Sequence, residues 1–106
     1  MATGRLGTVT LATGTNATVY TCPADTFSVV SVNFCNRSNQ AQAFRLAIAD
    51  AATPTTSEYV EYDAEVLAKG VLERTGLVLA AGQKIVAYAS AAGASVVVYG
   101  IETSTL

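Results

Sequence analysis

The chain has 106 residues, room for one domain and one thin core, with a formal charge of −2, 51% hydrophobic residues and only 13% charged. Its six basic residues, Arg5, Arg37, Arg45, Lys69, Arg74 and Lys84, are scattered, so no basic stripe exists to neutralise phosphates and nucleic acid is not expected as a partner. There is no histidine, which removes the usual general base and the commonest metal ligand. No apolar run approaches the ~18–20 residues that span a bilayer, so no membrane partner is expected either.

The opening segment, Met1 to Gly7, has no basic region followed by an apolar one, so no signal peptide is expected. From there Gly, Pro, Asn and Asp cut the sequence into short apolar segments. Residues 6–11 form the first, around Gly7, and Thr13-Gly14-Thr15-Asn16 makes a turn. Residues 17–22 follow, with Val19 and Tyr20, and Pro23-Ala24-Asp25 turns the chain again. Residues 27–35 are the longest strand. Val30, Val32 and Phe34 fall on one face and Phe27, Val29 and Cys35 on the other, a pattern that belongs in the middle of a sheet or at an interface.

Residues 36–40 read as a polar loop. Phe44, Leu46 and Ile48 then alternate with an outward Arg45. Residues 50–57, with Pro54, read as a solvated connection, and residues 59–62 as a short strand. Residues 63–69 are the one plausible helical turn, with Asp63 as N-cap and Gly70 as terminator. Residues 71–79 contain Gly76, which marks a bulge or divides two segments. Ala80-Ala81-Gly82-Gln83 reads as a hairpin turn between 71–79 and 84–89, and Ala91-Ala92-Gly93 leads to a last strand at 95–102.

These eight segments, rich in Thr and Val, predict an all-β chain: a single antiparallel β-sandwich over residues 1–106, jelly-roll or immunoglobulin-like, with about eight short strands. The pattern 17–22 followed by 27–35, if a hairpin, sets Cys22 and Cys35 about eight residues apart along the sheet at ~3.3 Å each. That exceeds the ~7 Å Cα separation a disulfide spans, so both are expected as free thiols.

Candidate chemistry is sparse. Glu58, Glu61, Asp63 and Glu65 cluster around Tyr59 and Tyr62. Paired carboxylates serve glycoside hydrolysis or Ca²⁺ binding. Here no Asp-x-Asp-x-Asp spacing is present, and alternation sends neighbours to opposite faces. A charged edge strand, protected from wrong pairing, is the expected role. Asn16-Ala17-Thr18 and Asn36-Arg37-Ser38 match the glycosylation pattern and read as chance matches in a Thr- and Ser-rich chain. The five tyrosines suit either an interface or a half-buried sheet surface. No enzyme is expected, with no catalytic, cofactor-binding or metal residue and no cofactor.

Three stretches carry a resemblance: Cys35-Asn36-Arg37-Ser38 followed by Phe44-Arg45-Leu46-Ala47-Ile48, then Thr75 to Ile85, then Val96 to Glu102. Together they resemble small all-β virion proteins of tailed bacteriophages over about two-thirds of the chain, through strand order and turn placement. The resemblance implies a structural virion protein, a capsid decoration (cement) subunit, made in the host cytoplasm and located in the virion. Its partners would be the major capsid protein or another virion protein and further copies of itself, as a dimer or trimer. A tail, fibre or baseplate component with a host-surface role is the alternative, and a carboxylate-based hydrolase is a remote third. The chain departs from many cement subunits in having only Met1 to Gly7 ahead of the first strand. A sparsely charged surface favours association. The expected contacts are residues 1–6 and the loops 36–40 and 50–57.

Overall fold

A computed structural model describes residues 3–106. The chain is all-β, in the strand order β1 (Thr3–Leu11), β2 (Ala17–Thr21), β3 (Thr26–Asn36), β4 (Gln42–Ala49), β5 (Tyr59–Val66), β6 (Val71–Leu79), β7 (Lys84–Ala89) and β8 (Ala94–Ser104), with one 3₁₀ turn at Thr56–Glu58. Two four-stranded antiparallel sheets, ordered β1-β8-β3-β6 and β2-β7-β4-β5, pack face to face. The eight segments expected from the sequence are these eight strands.

The pairing is nested. β1 pairs with β8, β2 with β7, β3 with β6 and β4 with β5. A long antiparallel ribbon closed at the β4–β5 connection has been wrapped so that successive strand pairs alternate between sheets. Further ladders, β3 with β8 and β4 with β7, join the wrapped pairs. This is the jelly-roll arrangement, and it decides against the immunoglobulin-like alternative, which divides its strands differently between the sheets.

The nesting corrects the local connections. Only β4 and β5 are consecutive strands that pair in one sheet; every other connection crosses from one sheet to the other. The 80–83 turn is therefore a crossover, not a hairpin, and so is the connection from β2 to β3. Turn residues specify that the chain reverses, but not which sheet it enters. Cys22 and Cys35 are free thiols, as expected, although they lie in and beside different sheets and not along one hairpin.

The core lies between the sheets. β3 alternates strictly over its length, with Thr26, Ser28, Val30, Val32, Phe34 and Asn36 buried, and it occupies an interior sheet position, as its two-sided apolar pattern required. Phe34 meets Phe44 of the opposite sheet with ring centroids 4.0 Å apart, among Leu46, Leu79, Ile85, Val96 and Val98. On one side β1 and β2 approach closely at Gly7, where a Cβ would fall 2.3 Å from the Val19 carbonyl oxygen, so only glycine fits. On the other side the edge strands β5 and β6 are joined by Arg74 and Glu61, at 2.6 Å.

Two expectations about irregular positions resolve differently. Gly76 (φ 72°) is a bulge inside β6, opposite the register shift between Val30 and Val32. The helical turn at 63–69 does not form: β5 runs on to Val66, and Asp63 (φ 54°) occupies a bulge opposite Arg45. Aspartate tolerates left-handed backbone better than most residues, and its carboxylate pairs with Arg45 across the ladder. The residues that would have started a helix instead bend an edge strand.

Candidate interaction surfaces

Each acidic residue of the candidate cluster is resolved by its own surroundings. The Glu58 carboxylate accepts the Thr55 amide at 2.8 Å and the Asp50 amide at 3.3 Å, closing the 50–58 connection on itself. Its hydrogen bond from the Thr55 backbone holds its pKa below the usual value. Glu61 pairs with Arg74 and Asp63 with Arg45. Glu65 is exposed on the same edge strand. Among the described residues no three Asp, Glu, Cys or His side chains converge as metal ligands, and no pocket opens. What remains to be explained is surface.

The outer face of the β2-β7-β4-β5 sheet carries its own cover. Ala47, Ala49 and Val86 point outward yet are buried, because Tyr59 packs over them. The 3₁₀ turn also lies against β4. Farther along, the Arg45 guanidinium carbon lies 4.2 Å from the Tyr62 ring centroid and 4.3 Å from that of Tyr88, with its Nε 2.6 Å from Asp63 Oδ1. Tyr59 meets Tyr62 edge-on at 4.9 Å. Three tyrosines, one arginine and one aspartate thus satisfy one another. The 50–57 connection is solvated as expected, exposed at every residue but Pro54, while its 3₁₀ turn rests against β4.

The outer face of the β1-β8-β3-β6 sheet differs. Its rows follow from the ladders: Thr3, Ile101, Val29 and Val78; then Arg5, Tyr99, Ser31 and the Gly76 bulge; then Thr8, Val97, Asn33 and Glu73; then Thr10, Ser95, Cys35 and Val71. Phe27 (39% exposed), Ile101 (50%) and Val78 (59%) form an apolar group at one end. The Tyr99 hydroxyl donates to Glu73, and this bond pushes the phenol above its ordinary pKa.

At one end of the sandwich, buried Asn36 roots the 36–40 loop. Its Nδ2 donates to the carbonyls of Gln40, Val66 and Leu67 at 2.8, 3.1 and 3.2 Å, while its Oδ1 accepts from Ser38 and Gln42. The loop expected as a free contact is therefore fixed at its base, with Arg37, Asn39 and Gln40 exposed. Full burial also removes Asn36 as a glycosylation acceptor in the folded protein. In the core, burial and donation to Glu102 at 2.5 Å push the Tyr20 phenol above its usual pKa. Of the expected N-terminal contact, residues 1 and 2 lie outside the described residues, and residues 3–6 are strand, paired with β8.

The alternation of residues 27–35, with Phe27, Val29 and Cys35 on one side, marked one strand of the open face in the sequence. The tyrosine–arginine cluster was not legible there, because it depends on which strands become neighbours. No protein-family model matches the chain, and no curated protein matches it.

Proposed function

We propose that this chain is a structural virion protein of a tailed bacteriophage, a decoration subunit that binds the capsid lattice and stabilises it by bridging shell subunits. It acts by contact and not by catalysis, with no cofactor. The observation that carries the reading is the open β1-β8-β3-β6 face, a broad, sparsely charged sheet surface with exposed Phe27, Val78 and Ile101. Such a face suits lattice contacts, in which many copies act together although each contact is modest. The strand-level resemblance to small virion proteins adds to it, and jelly rolls recur in viral shell proteins, which is support by analogy only.

The alternative is a tail, fibre or baseplate component that binds a host glycan. The surface tyrosines favour it in number. Arg45 already occupies one face each of Tyr62 and Tyr88, however, so these rings are partly committed within the chain.

The test is localisation and copy number in purified virions by electron microscopy and quantitative mass spectrometry. The proposal expects copies in proportion to the shell protein, and particles that lose heat resistance without the chain. A few copies confined to the tail would favour the alternative, and absence from the particle would remove both.

A further inference from the structure

The open face has an asymmetric pattern. Among its outward side chains only two are charged, Arg5 on edge strand β1 and Glu73 on edge strand β6. The ion pairs among the described residues are Arg45 with Asp63 and Arg74 with Glu61, so Arg5 has no carboxylate partner among them. Apolar exposure is concentrated at one end of the rows, at Phe27, Val78 and Ile101 beside half-buried Val29, with Val71 (58% exposed) alone at the other end. Opposite charges thus sit on opposite edges, while apolar character varies along the strands.

We infer that two copies of this chain pack through this face, about a two-fold axis running parallel to the strands between the two sheets. Such an axis exchanges the edges and keeps the position along the strands. Each β1 then lies over the partner's β6, and each apolar end lies over the partner's apolar end. Ile101 meets Val29 of the partner subunit, and Thr3 meets Val78 of the partner subunit. Arg5 and Glu73 of the partner subunit are offset by one row, about 7 Å along the strand, across sheets about 10 Å apart, a gap that an extended arginine and a glutamate close. The symmetry makes this contact twice. A two-fold axis across the strands instead sets like edge on like edge. It brings Val78 over Val71 of the partner subunit, but it leaves Arg5 within one row of Arg5 of the partner subunit and Glu73 within one row of Glu73 of the partner subunit, and so fails the charge pattern.

Size is consistent with this occupant. Four strands ~4.8 Å apart and about nine residues long at ~3.3 Å project roughly 19 × 30 Å, on the order of 570 Å² before pleating and side chains add to it. A standard interface removes ~800 Å² of accessible surface per partner. The inference is read on the purified chain alone, and it competes with the shell contact proposed above for the same face: in a dimer closed through this face, shell contacts would fall to the strand edges and loops.

Sedimentation equilibrium of the full chain tests it. The expected result is a dimer in the micromolar range. Ile101→Glu and Val78→Lys should each give a monomer with an unchanged circular dichroism spectrum. Arg5→Glu and Glu73→Arg should each weaken association about tenfold, equivalent to about 1.4 kcal/mol. The double exchange Arg5→Glu/Glu73→Arg should restore it, because the pair contributes through complementarity; the Tyr99 bond is lost in both Glu73→Arg proteins and does not account for the restoration. A chain that stays monomeric overturns the inference. So does a dimer or trimer that survives the Ile101 and Val78 variants, or a double exchange no tighter than the single ones. If the apolar variants fail to fold, the charge exchange decides.

Discussion

The two sheets have the same number of strands and share one core, but their outer faces are finished in different ways. On β2-β7-β4-β5 the chain supplies its own partners: Tyr59 over Ala47, Ala49 and Val86, and Arg45 between Tyr62 and Tyr88. On β1-β8-β3-β6, among the described residues, no other part of the chain packs over the outward side chains as Tyr59 does on the other sheet, and Phe27, Val78 and Ile101 stay exposed. One face is spent inside the molecule. The other is available to a second molecule. The interaction surface of a small sandwich is thus found by asking which face the chain leaves uncovered.

The comparison is calibrated by what both sheets share. Phe34 from one sheet and Phe44 from the other meet at the centre, both essentially fully buried. Phe34→Ala should remove about 3–5 kcal/mol of stability by leaving a cavity between the sheets. Urea denaturation should show a lower midpoint with an unchanged slope.

The contrast between faces is sharpened by a pair of substitutions. Tyr59→Ala uncovers three buried side chains and should cost about 1–2 kcal/mol. Ile101→Thr on the open face should change stability by less than about 0.5 kcal/mol, provided the protein is dilute enough to be monomeric. Equal losses at the two positions would break the comparison, since they would mean that the open face is packed as tightly as the covered one.

How much of this was legible in the sequence depended on range. The strict alternation of residues 26–36 disclosed a central strand because its period is a property of the strand itself. Phe44, Leu46 and Ile48 turned inward, and Lys84–Ala89 formed a strand with the expected bounds. Pairing was less legible. The turn at 80–83 contains suitable residues for a hairpin, yet joins β6 of one sheet to β7 of the other. Asp63 looked like a helix cap because aspartate also serves that role. Its use in a bulge depends on Arg45, eighteen residues away and adjacent only through the β4–β5 ladder. Asn36 looked like a loop residue because the carbonyls of Val66 and Leu67 that hold it belong to a distant part of the chain. The candidate interaction faces combine both cases: the two sides of residues 27–35 were legible, whereas the rows across the sheet and the covers were not.

A smaller effect tests how the covered face is held. The folded-state pKa of Glu58 is depressed chiefly by the Thr55 amide, so the carboxylate contributes stability above its ordinary value of 4.5 that is lost as pH falls through the lower folded value. Thermal melts on acidification should therefore fall more steeply for the parent than for Glu58→Gln. Parallel curves for the two proteins would separate Glu58 from closure of the 50–58 connection.

The last test is a rate, and it reads both faces through the two thiols. Cys22 is buried in the core, where its Sγ lies 3.4 Å from the Thr26 carbonyl oxygen. Cys35 is half-buried on the open face, in the row with Ser95 and Val71. A thiol reagent should reach Cys35 in the native state, but Cys22 only when the sandwich opens, so the two rates should differ. Phe34→Ala should accelerate Cys22 in proportion to the stability it removes and leave Cys35 nearly unchanged, because exposed groups do not wait for global opening. Concentration then separates the faces. If two copies cover the open sheet, labelling of Cys35 should slow as the protein is concentrated while Cys22 keeps its rate. A Cys35 rate independent of concentration, in a sample that sedimentation shows to be dimeric, would place the interface elsewhere on the molecule.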